Sequence, residues 1–177
     1  MPSIARLMPI VLNPRGYDDS MNNETLRIAD QLRQVFSGNP WYGFPLTELL
    51  AGITAEEAAV RPLPSLHSIW ELVLHMNLWA RVALEASQGV SMPKLYGTEK
   101  DWLTVDAASA PAWQAAKEQI AETINHLAQA IARFDDTRLP ETVPGREYDF
   151  EYLFRGIIQH SVYHFGQIAM VKAAIRT

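Results

Sequence analysis

No cysteine occurs among the 177 residues. That absence excludes disulfides, thiolate metal sites and a cysteine nucleophile. Any metal held by this chain must take histidine, carboxylate or other oxygen ligands. A cysteine-free chain also accords with a reducing compartment, so a cytoplasmic location is expected. Positive charge is scarce as well. Fifteen Lys and Arg face 20 Asp and Glu, for a net charge of −5, and the cations are scattered among the acids. No basic stripe of the kind that binds nucleic acid is present, and no basic run suits an anionic membrane surface. Long hydrophobic runs are missing too. The first residues, MPSIARLMPIVLNPRG, hold a short apolar run broken by Pro9. It is too short to cross a bilayer, and no small-residue cleavage site follows it. Residues 1–23 are read as an arm that packs on the body or on a neighbouring subunit, or else as a disordered tail. No glycine-rich phosphate loop, serine triad or dinucleotide fingerprint constrains the substrate.

What the chain does have is apolar periodicity. Apolar residues make up 48% and charged residues 20%, ordinary for a globular protein. The length suits one domain, placed at residues 24–177. Four long helical patterns and no convincing strand are legible. The first runs from about Glu24 to Phe36, with Asn22 or Asn23 as cap and Gly38 at its end. Two short helical stretches follow, LTELLAG and TAEEAAV, the second opened by Thr54 with Glu57 three residues on. The second long helix starts at the capping box Ser68-Ile69-Trp70-Glu71 and stops before Gly89. The third begins near Ser109, with Pro111 in its first turn. The fourth follows Asp149 and carries Lys172 and Arg176 in its last turns. Four amphipathic helices in one domain predict an all-α four-helix bundle with two long connecting loops.

The histidines break the apolar pattern. On the fourth helix the inward stripe reads Leu153, Ile157, His160, His164, Ile168 and Val171. Steps of three and four keep these on one face, so His160 and His164 are neighbours that can reach one ion. On the second helix His75 sits in the stripe Ile69, Leu72, His75, Trp79 and Val82. Three of the five histidines therefore point into the bundle. A lone histidine on an apolar face is more often a hydrogen-bonded core residue. Three together would each cost about 1–3 kcal/mol if buried without partners, and one divalent cation would satisfy all of them. His75, His160 and His164 are thus the expected metal ligands. His67 is read as a loop or capping residue, and His126 as a rim or solvated one. Glu71 either completes the capping box or accepts from His75 one turn on. The HExxH pattern of zincins is absent, since Ser161 stands where its glutamate would be. The Glu-x-x-His pairs of di-iron bundles are absent too.

These stretches resemble a known family. HSIWELVLHMNLWARVAL and GIIQHSVYHFGQIAMVKAAIR, with PWYG and LTELLAGITAEEA before them, are similar to the DinB-like superfamily, also called the DinB/YfiT group of metal-dependent enzymes. The likeness covers about residues 24 to 175, and H-x-x-Y-H-x-G-Q-I is its most specific part. The resemblance implies an up-down-down-up bundle holding nickel or zinc on His75, His160 and His164. It also implies a homodimer, and chemistry like that of bacillithiol-dependent S-transferases and a mycothiol-dependent isomerase.

Three neutral histidines would leave a divalent ion an open position, as catalytic zinc sites do. That position could generate hydroxide from water or hold a thiolate. With no cysteine in the chain, the thiol would come from a small cofactor. A metal-dependent thiol S-transferase, or a hydrolase, acting on a small molecule is the leading expectation. A non-catalytic metal- or ligand-binding bundle is the alternative. Tyr163, Gln167 and Trp79 are read as pocket residues or core, and Trp41, Tyr42 and Trp102 as aromatics that could close the mouth.

Overall fold

The computed structural model describes residues 23–105 and 108–176. The N-terminal arm, Asn22 included, lies outside the described residues. Four long helices carry the structure: α1 (Glu24–Ser37), α4 (Ile69–Ser87), α5 (Ala110–Ala132) and α6 (Phe150–Ile175). Two short helices, α2 (Leu46–Leu49) and α3 (Ala55–Ala59), lie between α1 and α4. Among the described residues there is no strand; Thr142 and Asp149 form an isolated bridge.

Local chemistry sets the helix starts. Ser68 accepts from the Glu71 N–H while the Glu71 carboxylate accepts from the Ser68 N–H, a complete capping box. Thr54 and Glu57 repeat it at α3. Ser109 caps α5 and Asp149 caps α6. The start of α1 differs from the sequence expectation. Asn23 makes no side-chain cap. Asp136, from the turn after α5, accepts from the N–H groups of Glu24 and Thr25 at 2.7 and 3.0 Å. The orphan donors of α1 are thus satisfied from a segment more than a hundred residues away, which no local pattern reveals.

Each long helix buries one stripe. Ile28, Leu32 and Phe36 of α1 meet Ile120, Ile124, Leu127 and Ile131 of α5 in a continuous core. In the bundle α1 packs on α5 and α6, and α4 packs on α5 and α6. Ring contacts give the directions. Trp70 and Trp113, at the starts of α4 and α5, are 5.2 Å apart, so these helices run parallel. Glu24 pairs with Arg155 near the starts of α1 and α6, and Phe36 meets Phe165 at 5.2 Å further along both. Those two are parallel as well. Tyr148 before α6 reaches Met92 beyond the end of α4, so α4 and α6 are antiparallel. The order is up-down-down-up, as expected.

The connection from α4 to α5 is pinned at its first half. Met92 N–H donates to Pro144 O at 2.9 Å, and Arg146 donates to Met92 O at 3.1 Å. Gly145 makes this approach feasible. Its φ is +79°, and a Cβ there would lie 2.5 Å from Ser91 Oγ. The two long loops are thereby tied together at the end of the bundle where α4 stops and α6 starts.

Candidate metal centre

His75 on α4 faces His160 and His164 on α6 across the bundle. Their Nε2 atoms converge: His75 to His160 at 3.1 Å and His164 to His160 at 3.0 Å. Two ligands that each lie ~2.0–2.1 Å from one ion can be at most about 4 Å apart, so these separations fit a shared ion. The three form a group that could hold a metal.

Hydrogen bonds on the far side of the rings decide where the protons sit. His75 Nδ1 lies 2.8 Å from the backbone carbonyl of Asp101. A carbonyl only accepts, so Nδ1 carries the proton and Nε2 presents a lone pair. His164 Nδ1 lies 2.5 Å from Gln167 Oε1, which sets the same tautomer. Gln167 in turn donates to Tyr163 Oη at 3.3 Å. His160 Nε2 therefore faces two lone pairs and can donate a proton to only one of them. A cation would satisfy all three. The donor set fits a divalent ion of the kind that imidazole favours.

Burial keeps the rings neutral. Desolvation is the largest cause of a lowered pKa at His75, His160 and His164. The neighbouring imidazoles His164 and His75 add to it at His160, which is pushed down to about 3. Neutral imidazole is the ligating form.

The surroundings are aromatic. Trp102 stacks on His75 at 3.9 Å and 5°, and on its other face it stacks on His67 at 3.4 Å and 2°. Trp79 donates from Nε1 to the buried Asp101 carboxylate at 2.9 Å. The three histidines border an open cavity of about 490 Å³, lined also by Trp79, Trp102, Tyr148, Tyr152 and Tyr163. That volume falls in the range of small-molecule sites.

The DinB superfamily model matches residues 46–168, which include all three histidines. The chain belongs to the DinB superfamily. Comparison with curated proteins and with solved structures gave no match. Among the described residues of this DinB-family chain, no helix is long and apolar enough to cross a membrane.

Several expected site residues fall into place and others move. Gln167 and Tyr163 form a relay behind His164. Trp102 lies against His75 rather than only at the mouth. Trp41 and Tyr42 do not line this cavity; they border a separate groove with Glu24, Arg27 and Arg155. That groove is bordered by Arg155, Ile158, Gln159 and Val162 of α6, whereas the histidine cavity is bordered by Leu153, Ile157, His160 and His164 of the same helix. Glu71 serves its capping box and an ion pair with Arg61, whose Nε donates at 2.9 Å, rather than His75. Burial opposes ionisation of Glu71, but the Arg61 and Ser68 hydrogen bonds outweigh it and hold its pKa low. His67 is the loop residue expected, with the stack on Trp102 as its added role. His126 is exposed. Sequence reasoning missed Asp101, whose carbonyl orients His75. The aromatic Trp102 beside it was the available signal.

Proposed function

We propose that His75, His160 and His164 bind one divalent cation, nickel or zinc, and that the protein is a metal-dependent enzyme of thiol S-transferase type, with a hydrolase as the close variant. The supporting observation is the convergence of three Nε2 atoms at the wall of an open cavity, with the His75 and His164 lone pairs turned toward His160 Nε2. A site that is closed by a fourth protein ligand would instead be structural.

A divalent ion held there would act as a Lewis acid and lower the pKa of a thiol or water placed in its open position. The chain's own residues do the rest. Asp101 and Gln167 hold two imidazoles in the ligating tautomer. Trp102 and Trp79 wall the site and restrict water on the α4 side. Tyr163, exposed beside His164, presents a phenol hydroxyl at the cavity edge. It can hydrogen-bond an uncharged substrate group there. DinB-family membership favours a homodimer, which sedimentation of the full chain tests.

Elemental analysis of the full chain, beside a His75→Ala, His160→Ala double variant, tests the metal reading. About one nickel or zinc per chain, lost in the variant, is expected. No metal in the wild type after reloading at neutral pH would sink it. The alternative, a metal-binding bundle without catalysis, predicts metal uptake but no turnover of thiols with electrophiles.

A further inference from the structure

The cavity beside the histidines has a distinctive wall. Six of its fourteen lining residues are aromatic: Trp79, Trp102, Tyr96, Tyr148, Tyr152 and Tyr163. Two of these are fixed. Trp102 is clamped between His67 and His75, and Trp79 is tied through Nε1 to Asp101. Tyr148 and Tyr152 pair at 5.1 Å with their rings tilted. Tyr96, Tyr152 and Tyr163 expose 89%, 67% and 66% of their surface around the mouth. An exposed aromatic cluster rimming a concave site marks a surface that a ligand covers.

Charge narrows the ligand further. Among the described residues, no Lys or Arg lines the cavity. Its single carboxylate, Asp101, is buried, receives N–H groups from Trp79 and Gly97, and lies 3.4 Å from His75 Nδ1. Burying a carboxylate or phosphate against a wall that offers no Lys or Arg to pair with it is costly. One acidic atom is acceptable only where the three histidine nitrogens converge.

We infer that this cavity takes an arene-bearing molecule with one metal-binding acidic atom, a thiol or hydroxyl, and no second anionic group. The inference rests on the metal reading above and gives it a substrate class. The ring lies between the fixed tryptophans and the exposed rim of tyrosines, with its acidic atom toward His75, His160 and His164. Thiols that carry several carboxylates are disfavoured.

Calorimetric titration of the full chain, zinc-loaded and zinc-free, tests it with three probes: 2-naphthalenethiol, mercaptosuccinate and 2-methylnaphthalene. On the zinc-loaded protein, 2-naphthalenethiol is expected to bind at least about tenfold more tightly than mercaptosuccinate. Tyr152→Ala, at an exposed position in the first turn of α6, should weaken 2-naphthalenethiol severalfold with zinc content unchanged. Tyr152→Arg should strengthen mercaptosuccinate binding. Zinc uptake with equal or tighter binding of mercaptosuccinate would overturn the inference alone. So would zinc uptake with no effect of Tyr152→Ala. Failure of zinc uptake, with 2-methylnaphthalene still bound and still sensitive to Tyr152→Ala, would overturn the metal reading and with it the acidic-atom part of the inference.

Discussion

Replacing Gln167 by leucine removes the acceptor behind His164 without touching a proposed ligand. In the native arrangement Gln167 Oε1 receives the His164 Nδ1 proton, which leaves the Nε2 lone pair facing His160. Leucine is close in size but accepts nothing. His164 could then protonate either nitrogen, and its ring would lose its anchor. Loss of such an outer partner costs ~10–100-fold in metal affinity, or about 1.4–2.8 kcal/mol. Gln167→Glu should act oppositely, because a carboxylate acceptor makes the imidazole more basic. Tyr163→Phe removes only the next hydroxyl, at 3.3 Å from Gln167 Nε2, and should leave affinity within about twofold. Competition for zinc against a chromophoric chelator at neutral pH measures all three. Equal affinity for wild type, Gln167→Leu and Gln167→Glu would refute the claim that tautomer control at His164 shapes the site.

Other outcomes follow from the same geometry. Zinc at about a hundred times its Kd should stabilise the chain by ~2.7 kcal/mol and raise Tm by roughly 5–10 °C; differential scanning calorimetry should show no such shift for His75→Ala. The metal-free protein should lose stability as pH falls below about 6.5. The native pKa values of His75, His160 and His164 are lowered by burial, so the unfolded chain takes up protons that the native state refuses. Each histidine then contributes up to about 1.4 kcal/mol of lost stability per pH unit. For His160 the loss continues toward its native value of about 3. Urea midpoints at pH 7, 6 and 5 check the sign, and a midpoint that rises on acidification would contradict it. Gly145→Ala should destabilise by about 1–3 kcal/mol, because φ there is +79° and its Cβ would press on Ser91; a urea midpoint equal to wild type would show that the two loops are not tied there. Asp136→Ala should cost ~1 kcal/mol through the uncapped start of α1, read from the same denaturation curves.

Much of this architecture is written locally in the chain. The stripes that bury Ile69, Leu72 and Val82 on α4, and Leu153, Ile157 and Ile168 on α6, follow from apolar spacing, because burial of one helical face is a periodic demand. The caps at Ser68, Thr54, Ser109 and Asp149 are readable because a capping side chain acts within three residues of itself. His160 and His164 are neighbours on any helix, whatever surrounds it. His75 could be placed on an inward stripe, and family likeness named it as their partner. Its approach to 3.1 Å from His160 depends on how α4 and α6 pack, and helical periodicity alone does not determine the pairing of helices. The remaining decisions were tertiary for the same reason. Asp101 and Trp102 lie in an irregular connection whose path has no period, yet they orient and cover His75. Asp136 caps a helix that lies more than a hundred residues before it. Trp41 and Tyr42, aromatic and adjacent to a helix, look like mouth residues in sequence but fold onto another face. Composition and spacing determined the four helices and which histidines face inward, since those are properties of one element at a time. Only the packed structure decided which lone pairs meet, what holds their tautomers and which aromatics wall the cavity, since each of those is a contact between elements distant in sequence.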